Sequence, residues 1–182
     1  MNLAVLDLAT APPQTRETLA DVKKKYGFLP NLYGIFAHSP APLAAYLGIS
    51  AAFDQSSFTP LERNIVLLTT SRANDCRYCV AVHSAVGDMQ KHPADVIDAI
   101  RNDTPIPDPR LEALRRFTNV LVLERGRPGD AAIKAFLDAG YTEAQVLEAI
   151  VGVTLKTLSN YVNHVVDTPL DAAFAGRRWQ PR

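Results

Sequence analysis

The 182-residue chain has almost no cysteine: only Cys76 and Cys79, three positions apart. A secreted disulfide scaffold spreads its cysteines to staple distant segments, so that class is excluded. Charge of either sign is not in excess. Lys plus Arg and Asp plus Glu each number 19, for a formal net charge of zero. That balance removes the basic surplus on which nucleic-acid binders depend, and gives no reason to expect an anionic membrane surface as partner. No run approaches the roughly 18 uncharged apolar residues of a membrane-spanning helix. The opening residues 1–7 lack the basic and apolar regions of a signal peptide. Together these absences predict a cytoplasmic protein with no membrane and no nucleic-acid partner. Hairpin signals are missing as well, since no Asn-Gly or Asp-Gly pair separates alternating apolar runs.

Helix punctuation, in contrast, is frequent. Residues 13–26 form an amphipathic segment that stops at Gly27, and a short helix follows over 31–37. Ser39-Pro40 reads as N-cap and first residue of an Ala-rich helix reaching about Asp54. Thr59-Pro60-Leu61-Glu62 is a capping box opening a buried helix to about Asn74. Asp75 is the expected cap of the next helix, which carries Cys76 as its first residue and runs to about Gln90. Further helices are expected over 93–101, 110–124 and 130–139, with a Pro-rich linker at 104–109. Thr142 and Gln145 form a second capping box for a long helix from 143 to about 166. That helix is apolar around much of its circumference, which predicts central burial or sharing with another subunit. The expected fold is all-α, with about seven to nine helices in a single domain over 1–182. Its two helical parts are a cysteine-bearing region at about 40–102 and a second at about 109–168.

If Asp75 caps the helix, Cys76, Cys79 and His83 stand at offsets of three, four and seven, on one face. The helix N-terminus favours an anion, and so a thiolate. A free thiol with pKa about 8.5 is only a few per cent thiolate at neutral pH, so lowering it by about two units makes thiolate the major form. On this helix geometry alone Cys76 is the more acidic thiol. His83 can exchange a proton one turn away, and the second cysteine can convert a sulfenic acid into a disulfide. Two plainer readings compete. The cysteines can be packing residues, or Cys76, Cys79, His83 and a remote histidine such as His164 can hold zinc, although the spacing matches no common zinc finger. His164 itself reads first as a core or interface histidine. Tyr78, between the cysteines, either shapes access to them or packs as an exposed side chain.

Residues 61–83, with Ser71-Arg72-Ala73-Asn74 leading into Cys76-Arg77-Tyr78-Cys79-Val80-Ala81-Val82-His83, resemble the alkylhydroperoxidase D-like (AhpD-like) family of the carboxymuconolactone decarboxylase superfamily. The likeness extends to Phe28-Leu29-Pro30-Asn31-Leu32, His38-Ser39-Pro40 and Asn160-Tyr161-Val162-Asn163-His164. It implies a helical fold assembling as a dimer, trimer or hexamer. It also implies peroxidase or disulfide reductase activity without haem or metal, working through a redox-active Cys76–Cys79 disulfide. The implied partners are a hydroperoxide or disulfide substrate and a thiol reductant, either a protein or a dihydrolipoyl group. By the resemblance Cys79 attacks peroxide, Cys76 resolves the product and meets the reductant, and His83 relays protons.

The family's relay also carries a glutamate twelve residues before the first cysteine, where this chain has Asn64. An amide can orient His83 or a water, but it takes up no proton at neutral pH. Glu62, two residues away, is assigned to the capping box. The resulting expectation is a thiol-dependent peroxidase or thiol–disulfide oxidoreductase in antioxidant defence. Its alternatives are a carboxymuconolactone decarboxylase-like enzyme, whose branch lacks this cysteine pair, and a non-catalytic redox-sensing oligomer.

Overall fold

Proline and glycine mark most of the boundaries in the chain. The computed structural model describes Met1 and residues 3–181. Its helices are α1 (Pro13–Tyr26), α2 (Asn31–Phe36), α3 (Pro40–Asp54), α4 (Pro60–Ala73), α5 (Arg77–Met89), α6 (Ala94–Asn102), α7 (Pro109–Leu123), α8 (Gly129–Asp138) and α9 (Glu143–Val166). A 3-10 helix, Ala172–Arg177, closes the chain, and no strand occurs among the described residues. Prolines open α1, α3, α4 and α7, where the missing amide hydrogen costs nothing. Gly27 ends α1 at φ 79, a left-handed conformation that glycine adopts without strain. Both expected capping boxes form. Thr59 accepts from the Glu62 amide while Glu62 accepts from Thr59, and Thr142 pairs with Gln145 in the same way.

Two boundaries differ from expectation. Asp75 does not cap α5: it adopts a left-handed φ of 53, and Cys76 takes the N-cap position instead. The tight Asn74–Asp75 turn leaves the thiol of Cys76, and not the Asp75 carboxylate, facing the free amides of the helix. The closing 3-10 helix has no apolar periodicity to announce it. Tertiary bonds hold it, with Arg177 paired to Asp98 at 3.0 Å and Arg101 donating to the Arg177 carbonyl at 3.0 Å.

Helix α4 is the central element. Ile65, Val66 and Leu68 are fully buried, and the helix packs against α5, α6, α7 and α9. Around its far end Phe117 stacks on Phe136, and Phe136 on Tyr141, each pair 4.4 Å between ring centres. Helix α9 comes close to α3 and α4 at Gly152, where a Cβ would lie 2.7 Å from both Phe53 and Val66. The two faces of α9 are inverted relative to an ordinary surface helix. Its buried side carries Gln145, Lys156, Ser159, Asn160 and Asn163 alongside Ala149, Gly152 and Leu155. Its apolar Leu147, Ile150, Tyr161 and Val165 are exposed. The expected apolar helix is therefore present, but its polar stripe is the one turned inward. Among the described residues no helix is long and apolar enough to cross a membrane.

Candidate active site

The polar inner stripe of α9 faces the first turn of α5. Residues 156, 159, 160 and 163 are spaced three, four and seven apart, so all four lie on one side of the helix. Opposite them, Cys76 and Cys79 are buried free thiols, each 1% exposed. The Cys76 sulfur accepts from the Cys79 amide at 3.4 Å, as an N-cap side chain does. Asn163 Nδ2 donates to Cys79 Sγ at 3.2 Å and stands 3.8 Å from Cys76 Sγ. The Ser159 hydroxyl lies 3.9 Å from Cys79 Sγ.

These neighbours separate the two thiols chemically. Burial alone pushes the Cys79 thiol up. The hydrogen bond from Cys76, the Lys156 ammonium, and the amides of Asn160 and Asn163 outweigh it, and bring Cys79 down to about 5. The hydrogen bond Cys76 gives to Cys79, followed by burial, pushes Cys76 above the ordinary thiol range. Helix position alone predicted the opposite order. The first turn of α5 does favour an anion, but Cys79 sits next to a buried cation and two amides, and those groups decide which sulfur carries the charge.

Cys79 lines a cavity of about 410 Å³ with Asn64, His83 and Lys156, walled by Tyr33, Tyr46 and Tyr78. Asn64 Nδ2 donates to the His83 carbonyl at 3.3 Å. The Asn64 Oδ1 and the His83 Nδ1 are both buried without a partner among the described residues. Two orphan polar atoms in one cavity wall form a place where a polar ligand group or water gains hydrogen bonds. Burial, followed by the charge on Lys156, pulls His83 well below the ordinary imidazole range, so it is neutral at physiological pH.

Cys76 opens in a different direction. A second cavity of about 480 Å³ is lined by Cys76, Arg77, Asn163, His164 and Trp179. Tyr78 contributes to both cavities. It is buried, and not the exposed packing residue allowed by sequence. Its hydroxyl donates to Asp171 Oδ2 at 2.7 Å and accepts from the Leu32 amide at 3.3 Å. Tyr78 thus ties α5 to α2 and to the C-terminal segment and forms a wall between the two cavities.

The structure accordingly brings together Cys76, Cys79 and Asn163, and places His83 and Asn64 in the cavity of Cys79. It does not bring His164 there. That residue is exposed, its ring 6.5 Å from the ring of Tyr161. Among the described residues no three His, Cys, Asp or Glu side chains group as a metal ion requires, so the Cys76, Cys79, His83, His164 quartet does not assemble. Glu62 is held by its capping box, as its place in the sequence suggested, and also by Arg110. Lys156, Ser159 and Asn163 were missed from sequence. The available signal was their helical spacing with Asn160, a polar stripe on an otherwise apolar helix.

No protein-family model matches the sequence, and no match is found among curated proteins. Solved structures do match. An AhpD-core, peroxidase-related protein from Ralstonia eutropha JMP134 superposes with a TM-score of 0.84 at 25% identity, covering 98% of this chain and 97% of that one. A peroxidase-related protein from Silicibacter sp. TM1040 gives 0.81 at 17% identity, covering 97% and 94%. A single-substitution variant of the debrominase Bmp8, in complex with 2,3,4-tribromopyrrole, gives 0.80 at 18% identity, covering 97% and 96%. These likenesses run nearly the full length of the chain, so the chain has an AhpD-like fold.

Proposed function

We propose that the protein is a thiol-dependent hydroperoxide reductase in which Cys79 is the attacking sulfur and Cys76 the resolving one. The observation that carries this reading is the divided environment of the two thiols: Cys79 receives the Asn163 amide and shares a cavity with Lys156, whereas Cys76 takes the N-cap position of α5 and lines a second cavity. Only a thiolate attacks a peroxide oxygen, and a neighbouring protonated thiol then displaces hydroxide as water to give a disulfide. Neutral His83 and Asn64 offer hydrogen bonds to the peroxide. An external dithiol, a protein thiol or a dihydrolipoyl group, restores the pair, and Cys76 is the sulfur it meets, through the second cavity. The cycle as proposed runs on the two sulfurs alone and calls on no haem or metal.

The test is turnover of cumene hydroperoxide with dihydrolipoamide by wild type, Cys79→Ser and Cys76→Ser. Cys79→Ser is expected to lose activity entirely. Cys76→Ser is expected to give one turnover at most and to accumulate sulfenic acid, trapped by dimedone. Wild-type rates no higher than those of Cys79→Ser sink the peroxidase reading. If the disulfide cycles without peroxide turnover, the protein is a thiol–disulfide oxidoreductase instead.

A second reading follows from the aromatic walls of the Cys79 cavity and the likeness to a debrominase. In it, a bromoarene exchanges bromine for hydrogen, the two thiols supply two electrons, and bromide and the Cys76–Cys79 disulfide are formed. Bromide release from 2,3,4-tribromopyrrole in the same assay, without peroxide, favours that reading.

A further inference from the structure

Among the described residues Lys156 is the one fully buried charged side chain in the Cys79 cavity, and the redox steps described above draw on its charge but give it no proton to move. It is 2% exposed, lies on the inner face of α9 one turn before Ser159 and Asn160, and lines the same cavity as Cys79 and His83. A buried ammonium without a counter-ion is costly. The groups that hold its charge are Cys79 first, then Tyr46 and Cys76, none of them a carboxylate. Of the three, Cys79 is the sulfur that carries a negative charge at neutral pH.

We propose that Lys156 is the counter-ion of the Cys79 thiolate and the proton donor to the oxygen that leaves when that thiolate is oxidised. The proposal rests on the hydroperoxide reading and assigns its proton source. It also accounts for Asn64, because a buried lysine beside the reacting sulfur replaces the carboxylate relay that an amide cannot provide.

The step balances. A lone pair of Cys79 Sγ attacks the terminal oxygen of a hydroperoxide, the O–O bond breaks, and sulfur is oxidised by two electrons to the sulfenic acid. The negative charge moves to the departing alkoxide. Lys156 has now lost its anionic partner while still buried, and desolvation drives its proton onto the alkoxide to give the alcohol. The Cys76 thiol then attacks the sulfenic sulfur, and its proton leaves with the hydroxyl as water. An external dithiol reopens the disulfide. One of its two protons returns to Cys76 and the other to Lys156, which restores the ammonium–thiolate pair.

Near neutral pH the tyrosines and the histidine around the pair stay uncharged. Tyr33, Tyr46 and Tyr78 are pushed above the ordinary phenol range by burial, and His83 stays neutral. Lys25, Asp54 and Arg63 line the outer part of the cavity.

Two substitutions separate charge from proton transfer. Lys156→Met keeps length and volume but removes both functions, whereas Lys156→Arg keeps the charge and holds its proton too tightly to give it up. Circular dichroism first establishes that each variant folds. Thiolate absorbance near 240 nm and iodoacetamide alkylation then report Cys79 directly, with no peroxide present. The wild-type titration is expected near 5. In Lys156→Met it moves to the ordinary thiol range or above, and alkylation at pH 7 falls by about tenfold or more. In Lys156→Arg the thiolate remains but peroxide turnover falls by about tenfold or more. A Lys156→Met thiolate titration unchanged from wild type overturns the ion pair, and full peroxide turnover by Lys156→Arg overturns the proton donor. If wild type shows the low thiolate titration but no peroxide turnover, the hydroperoxide reading fails while the ion pair stands.

Discussion

At the residue scale the site depends on how an anionic sulfur is kept stable without water. Cys79 is buried, and burial opposes its ionisation, so every hydrogen bond it receives carries more weight than it would at a surface. Asn163 makes the shortest of the resolved contacts to that sulfur, at 3.2 Å. A hydrogen bond to a charged group contributes about 1.5 to 3 kcal/mol, and one pKa unit corresponds to about 1.4 kcal/mol. Asn163→Ala is therefore expected to raise the Cys79 titration from about 5 to roughly 6 or 7. The sign follows from the amide's contact with the thiolate, which holds the sulfur ionised down to lower pH. At pH 8 the variant's thiol stays ionised and alkylates at nearly the wild-type rate, whereas at pH 5.5 it alkylates several-fold more slowly. The pH profile of iodoacetamide modification measures this, and identical profiles for the two proteins eliminate Asn163 as a thiolate donor.

At the scale of elements, α9 carries the site because of how closely it approaches the rest of the fold. Gly152 permits that approach, since a Cβ there meets Phe53 and Val66 at 2.7 Å, and both are fully buried. Overpacking of this kind costs up to about 3 kcal/mol, and the gain in helix propensity from glycine to alanine returns only about 1. Gly152→Ala is expected to lose about 2 kcal/mol, seen in calorimetry as a Tm lower by roughly 4 to 8 °C. Because α9 must move outward to relieve the contact, the variant's Cys79 titration should also drift toward the ordinary thiol range. A wild-type Tm shows that the helices shift apart freely and that glycine is not required.

This helix also marks where the sequence could be read and where it could not. Its boundaries were legible, because Thr142 and Gln145 cap it and the chain reverses into a left-handed φ at Asp167. The other helices were legible for the same reason, through prolines, caps and glycines acting within a few residues, except that the start of α5 was assigned to the wrong cap. The cluster of Cys76, Cys79 and His83 was visible as a helical spacing. What stayed hidden was long-range. Nothing local says that Ser159, 80 residues on, and Asn163, 84 residues on, face Cys79 together with Lys156, or that Tyr78 reaches Asp171. The identity of the acidic thiol was lost with that information, because the Lys156 ammonium and the Asn163 amide that favour a charge on Cys79 lie on α9. The cap was misread separately, since nothing local shows that Asp75 turns to a φ of 53.

At the scale of the whole molecule, the inverted faces of α9 have a consequence for assembly. Residues 147, 150, 154, 158, 161 and 165 recur at intervals of three and four, so they form one stripe along the helix. Within it Leu147 is 66% exposed, Ile150 43%, Tyr161 59% and Val165 58%. Single exposed apolar side chains are ordinary, but four on one stripe of a 24-residue helix, with half-buried Leu158 between them and Thr154 as the polar member, mark an interface. The seam matches what a second copy of α9 presents when two helices pack antiparallel across a twofold axis. Two copies of the chain are thus expected to associate through this stripe. In Leu147→Glu/Ile150→Glu, each protomer places two carboxylates in the apolar seam, at the end of the stripe away from Val165, whose carbonyl accepts from the Met1 ammonium. Size-exclusion chromatography with light scattering is expected to give an oligomeric mass for wild type and the monomer mass for the double variant. The variant's Cys79 titration should stay unchanged, because the stripe lies on the side of α9 away from Lys156 and Asn163. A wild type that runs as a monomer at every concentration tested refutes the interface, and a double variant that keeps the wild-type mass places the interface elsewhere on the molecule.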